Sequence, residues 1–174
     1  SKQHTATTNY NFRVVECRMA MALLAHALSL PGTWDSTRCL KDVQEAAGLD
    51  LLAMAEAVSR ILRPSPYSLQ DVAKELGIDL PSLERTYLVS ARGEPLAYPP
   101  SAVSSPCLCL HDRARHVFLE AARVLEFQAL CTGPEPSLPA LGAVLNASHE
   151  SCRDLYQVSC PELDTVVGIA LNAG

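Results

Sequence analysis

The sequence predicts a mostly α-helical chain, and three observations lead there. Apolar residues recur at spacings of three and four, as on one face of a helix. Gly, Pro, Ser and Asp punctuate those stretches where helices stop and start. At 174 residues, 48% of them hydrophobic and 19% charged, the chain is long and apolar enough to fold around a core.

Thr5 to Asn9 is polar and reads as a loop or strand end. Phe12, Val15, Met19, Leu23, Ala27 and Leu30 then build one apolar stripe, with Asn9 or Asn11 as cap. Pro31-Gly32 is the expected stop, because Pro cannot continue the ladder and Gly favours the closing turn. Leu40 to Ala47 forms a short helix ending at Gly48. Asp50 caps Leu51 to Leu62, which ends before Pro64-Ser65-Pro66. Ser68 opens a unit whose apolar face is Leu69, Val72, Ala73 and Leu76, closed by Gly77. Asp79 precedes another start at Pro81 that runs to about Leu88. This pair resembles a helix-turn-helix, but its acidic surroundings and the lack of Lys/Arg on its second helix favour a packed hairpin over DNA binding.

Gly93 to Pro106 carries four prolines and reads as an exposed loop. Helices are expected from about Asp112 to Leu130 and from Leu138 to about Tyr156, with Gly133-Pro134-Glu135-Pro136 between them. Ser159-x-x-Glu162 reads as a capping box for a last helix ending near Asn172, with Pro161 in its first turn. Loss of the Ser159 hydroxyl is expected to cost about 0.5–2 kcal/mol.

Charge narrows the function classes. The net charge is -5 and no Lys/Arg cluster offers a footprint for phosphate backbones, so nucleic acid is not an expected partner. No apolar run reaches the roughly 20 residues needed to span a bilayer, and the polar start is unlike a signal peptide. Seven cysteines, an odd number scattered along the chain, fit reduced, buried cytosolic thiols better than a disulfide framework. A cytoplasmic location follows as an expectation, under which the sequon Asn146-Ala147-Ser148 stays unused.

Most catalytic templates fail. Phosphate loops need clustered glycines so that backbone N–H groups can approach the oxygens. No two of the eight glycines here are closer than six positions. His149-Glu150 begins like a zinc-protease motif, but Arg153 stands where its second His belongs. Cys107-x-Cys109-x-His111 is the best metal candidate, since an extended segment puts all three on one face, with Cys131 or His116 to complete a set. Ordinary loop and core thiols explain it more simply. Arg113, Arg115, Arg123 and Glu120 read as solvated helix surface or helical pairs.

Three blocks carry a family resemblance. They are Tyr10-Asn11-Phe12-Arg13-Val14-Val15-Glu16-Cys17-Arg18, the stretch from Arg113 to Leu125, and the stretch from Ser148 to Asp164 that contains Ser151-Cys152-Arg153-Asp154. Together they resemble the galactokinase branch of the GHMP small-molecule kinases. The likeness is closer to N-acetylgalactosamine kinases than to classical galactokinases, through Val14 to Arg18, Ser151 to Asp154 and a helical insertion at about 64–88. The stretch from Ala97 to Leu110 departs from the family pattern.

The resemblance implies that residues 1–174 are a partial C-terminal domain, the helical portion of an α+β fold; the proline-rich stretch at about 93–108 is expected to be a flexible loop within it. It implies transfer of the ATP γ-phosphate to the anomeric hydroxyl of galactose or N-acetylgalactosamine, with magnesium. The family's catalytic base, Gly/Ser phosphate loop and last glycine motif have no match in this chain. No catalytic residue, cofactor contact or metal ligand is therefore assigned, and the chain by itself is expected to be inactive. One contact carries over: an aromatic residue at the Tyr10 position lies against the sugar in the family. His149, Arg153 and Tyr156 are expected to hold helices together, Arg153 through Asp154 or Glu162. The alternative is a non-catalytic regulatory or interaction module, since some relatives sense sugar without turnover. The sequence leaves the preferred sugar and the oligomeric state open.

Overall fold

The computed structural model describes residues 2–90, 92–133 and 137–173, with side chains from residue 10 onward. Eight α-helices are described: α1 (Lys2–Ala27), α2 (Leu40–Ala47), α3 (Leu51–Ile61), α4 (Leu69–Leu76), α5 (Leu80–Tyr87), α6 (Leu110–Thr132), α7 (Leu138–Ser151) and α8 (Pro161–Asn172). Among the described residues extended pairing is confined to two isolated antiparallel bridges, Tyr67 with Leu108 and Val89 with Pro95. The mostly helical expectation holds. No described helix is long and apolar enough to cross a membrane.

The chain forms two compact units, residues 1–118 and 119–174, with α6 running through the boundary. The first is built around α1, which packs against α2, α3, α4 and α5. Met19 to Ala25 are all buried, so the middle of α1 is enclosed all round and not only along the predicted stripe. Ala27, assigned to that stripe, is exposed.

Both ends of α1 differ from expectation. The segment from Thr5 to Asn9 is helical, and Asn9 and Asn11 lie inside α1 instead of capping it. Thr and Asn cost only a few tenths of a kcal/mol each in a helix, about what tertiary context overrides. At the other end α1 stops before Pro31-Gly32. Ser29 takes a left-handed φ of 50°. Its N–H reaches the His26 carbonyl and the Leu30 N–H reaches the Ala25 carbonyl, each at 3.0 Å. This is a Schellman closure with serine in the place usually taken by glycine.

The local punctuation of α2 to α5 is as predicted. Gly48 and Gly77 close α2 and α4 in left-handed conformation. Asp50 accepts from the Ala53 N–H at 2.8 Å and Asp79 from the Ser82 N–H at 2.7 Å. Ser68 and Asp71 form a reciprocal capping box on α4. The α4–α5 pair packs as a hairpin that also rests on α1, with Leu83 and Tyr87 buried.

The loop at 93–108 is fixed at several points. Gly93 turns at a φ of 76°, Pro100–Val103 is a 3₁₀ turn with Ala102 buried, and the Tyr67–Leu108 bridge anchors its end. Residues 134–136 of the Gly133–Pro136 spacer lie outside the described residues.

The second unit is less enclosed. One π-helical turn, Cys152–Tyr156, extends α7, and no residue of α8 is buried. The predicted capping box on α8 does not form. Cys160 is the N-cap and Pro161 begins the helix, so the register sits one residue later than the motif requires. The Ser159 hydroxyl instead donates to Asp164 Oδ1 at 2.6 Å.

Candidate functional site

Tyr10, the proposed sugar contact, stands on α1 with 70% of its surface exposed. Along α1, residues 11–14 are partly buried, and Val15 and Glu16 are the first enclosed side chains among those described. The stretch of α1 from Tyr10 to Val14 is therefore more open than the middle of the helix, and Glu16 is its nearest fully buried polar anchor.

Glu16 has no exposed surface, yet it carries a carboxylate that must be met by donors. Arg113 on α6 donates Nε to Glu16 Oε2 at 2.8 Å. The Cys109 backbone N–H donates to Oε1 at 2.8 Å. Arg13, one turn earlier on α1, pairs with Oε2 as well. Cys109 immediately precedes α6, and its carbonyl accepts the Arg113 N–H at 3.1 Å. The Glu16 carboxylate thus meets backbone at the start of α6 across 93 residues of sequence. The positive end of that helix favours the anion.

This is a correction for Arg113, which is 1% exposed and not solvated surface. It is also the contact that joins the first two sequence blocks in space. Arg18 adds a second tie, donating to the carbonyls of Tyr87, at 2.9 Å, and Val89. Burial pulls its guanidinium below the usual value.

The third block builds its own junction within residues 119–174. His149 Nε2 lies 3.1 Å from Asp164 Oδ1, the atom that also accepts from Ser159. His149 therefore connects α7 to α8, as expected. Arg153 chooses Asp154 over Glu162 and grips it with two nitrogens at 2.8 and 2.9 Å. Its hydrogen bonds lower the Asp154 carboxyl. Glu120 accepts from the Ser148 hydroxyl and pairs with Arg123 at 2.8 Å.

The cysteine reading needs correction. All seven thiols are free, but none is fully buried, and Cys39, Cys131 and Cys160 are exposed. Burial, first among the causes, pushes the Cys107, Cys109 and Cys152 thiols up, away from the reactive thiolate form. Cys107, Cys109 and His111 do not come together as a metal site. No group of three His, Cys, Asp or Glu side chains among the described residues has that geometry. His111 Nδ1 instead faces Asp112 Oδ1 at 2.8 Å. No two of the chain's glycines lie closer than six positions, so this sequence carries no glycine-rich phosphate loop.

Comparison with known proteins agrees with the resemblance to galactokinases. The chain is 34% identical to galactokinase of Dictyostelium discoideum, over 98% of this chain and 35% of that protein. It is 29% identical to galactokinase of Saccharomyces cerevisiae, over 100% of this chain and 37% of that protein. A 59-residue stretch is 51% identical to galactokinase of Thermotoga maritima, covering 33% of this chain and 16% of that protein. The chain spans about a third of the length of the first two of these relatives. No protein-family model matches it. Whole-chain likeness of this kind supports a place in the galactokinase branch and a sugar-kinase resemblance.

Proposed function

We propose that this chain, a relative of galactokinases along nearly its whole length, is the mostly helical part of a sugar kinase's C-terminal domain. The carrying observation is that match, which covers almost all of this chain and about a third of each relative. In this reading the kinase transfers the ATP γ-phosphate to the anomeric hydroxyl of galactose or N-acetylgalactosamine. The groups that hold magnesium and the phosphate loop belong, in this reading, to sequence outside these residues. The kinase works in the cytoplasm, and residues 64–88 are an insertion that braces α1.

Within the kinase, Tyr10 contributes one wall of the sugar site. Its exposed ring can cover an apolar sugar face while its hydroxyl hydrogen-bonds. The chain alone offers half a site and no phosphate cradle, so it is inactive by itself. Apolar side chains left open on α7 and α8 support the same reading. Leu138 is 80% and Ile169 64% exposed, and both have exposed apolar neighbours.

The test is a replacement. The segment of Dictyostelium galactokinase that aligns with this chain is exchanged for it, and ATP-dependent phosphorylation of both sugars is measured. Turnover of either sugar is expected. A hybrid that is folded by circular dichroism and melts cooperatively, yet phosphorylates neither, overturns the proposal.

A further inference from the structure

We propose that Glu16 is the positioning residue for the stretch of α1 that carries Tyr10, acting through Arg13. The inference rests on the sugar-kinase reading for its functional meaning. Its structural half stands on the geometry alone.

Tyr10 and Arg13, and then Arg13 and Glu16, are each three residues apart on α1, so each is the neighbour of the next on the helix surface. The ring of Tyr10 is exposed, the side chain of Arg13 is 15% exposed, and Glu16 is enclosed. Burial thus deepens turn by turn away from Tyr10. Arg13 also lies over the Phe12 ring at 5.7 Å, which leaves its guanidinium little freedom. Glu16 holds that guanidinium from below and, through Arg113 and the Cys109 N–H, holds the start of α6 from the other side.

A carboxylate fully withdrawn from water is a costly way to fasten two helices, because an apolar pair of similar volume usually packs as well. Directional donors give something an apolar pair does not: a fixed rotation and height of α1 against α6. Rotation of α1 sets where Tyr10 points. Displacement of a substrate-contacting group by about 1 Å is enough to change turnover by orders of magnitude. Phe12 to Val14, between Tyr10 and the enclosed part of the helix, are only partly buried, whereas Glu16 is fully enclosed.

The first arm uses the chain itself, labelled with 3-fluorotyrosine. Its five tyrosines give separate ¹⁹F signals, and Tyr10→Phe assigns the relevant one. Glu16→Gln keeps an acceptor for the Cys109 N–H but removes the charge that draws Arg13 and Arg113. The Tyr10 signal is expected to shift or broaden, while that of Tyr156, in the other compact unit, stays in place. Arg13→Gln, which leaves the buried Arg113–Glu16 contact intact, is expected to move the same signal and serves if Glu16→Gln does not fold. An unmoved Tyr10 signal in a folded variant overturns the inference.

The second arm uses the active hybrid kinase. Glu16→Gln is expected to raise the sugar KM about ten-fold with the ATP KM unchanged, and to add little once Tyr10→Ala is present. Arg153→Ala, on the exposed surface, is the control without effect. Full additivity of Glu16→Gln and Tyr10→Ala, or loss of melting temperature with no change in sugar KM, overturns the inference. An inactive hybrid removes the kinase reading, and the ¹⁹F arm still decides whether Glu16 controls Tyr10.

Discussion

Replacing Glu16 by Ala should unfold the first compact unit more readily than any surface change. The substitution removes the acceptor of three donors, two of them at 2.8 Å, and takes the carboxylate away from Arg113, which is almost fully enclosed. Breaking a buried pair by deleting one partner typically costs about 3–5 kcal/mol. Domains are stable by only about 5–15 kcal/mol, so about a fifth of the total or more is at stake. For a chain of this size the melting temperature should fall by roughly 10 °C. The assay is urea unfolding followed by fluorescence of Trp34, the single tryptophan, which lies in the same unit as Glu16. A lower midpoint with an unchanged slope reads as lost stability and not as a changed denatured state. Glu16→Gln should lose less, because its amide oxygen still meets the Cys109 N–H. A Glu16→Ala loss below about 1 kcal/mol would refute the reasoning, since breaking a buried ion pair by deleting one partner is not that cheap.

Three further outcomes are expected. Ser29→Gly should stabilise the chain by about 0.5–1 kcal/mol in the same urea assay, because glycine takes the left-handed φ without the penalty serine carries. Asp71 is held below its ordinary value of 3.8, first by the backbone N–H of Ser68. Its contribution is therefore full above that value and is lost as pH falls through the lower folded one, and Asp71→Asn should flatten an acid unfolding curve in this range. A dye that fluoresces on exposed apolar surface should bind the isolated chain strongly, and Val166→Ser with Ile169→Ser should weaken the signal.

What the sequence revealed followed the range of the interaction. Gly48, Asp50, Ser68, Gly77 and Asp79 act within one helical turn, so their residue types alone set the ends of α2 to α5. The closure of α1 was less visible, because a Schellman turn needs only one residue willing to adopt positive φ, and Ser29 gives no such signal. The Ser159–Glu162 motif had the right spacing and the wrong register, since Ser159 found Asp164 instead. The candidate site was half legible. Tyr10 came from a family likeness, and its exposure is consistent with a contact role. Glu16 and Arg113 are 97 positions apart, and a charged residue on a helix reads as surface until its partner is known. The one available clue was that both lie inside blocks that resemble the same family.

The proposed division of labour between this chain and the rest of a kinase is tested most directly by calorimetric titration of the chain with Mg-ATP, then with galactose and N-acetylgalactosamine. No saturable heat with Mg-ATP is expected, because no glycine cluster or acidic metal set is present among the described residues to receive it. Saturable, stoichiometric binding of Mg-ATP would contradict the assignment and place a nucleotide site within these residues.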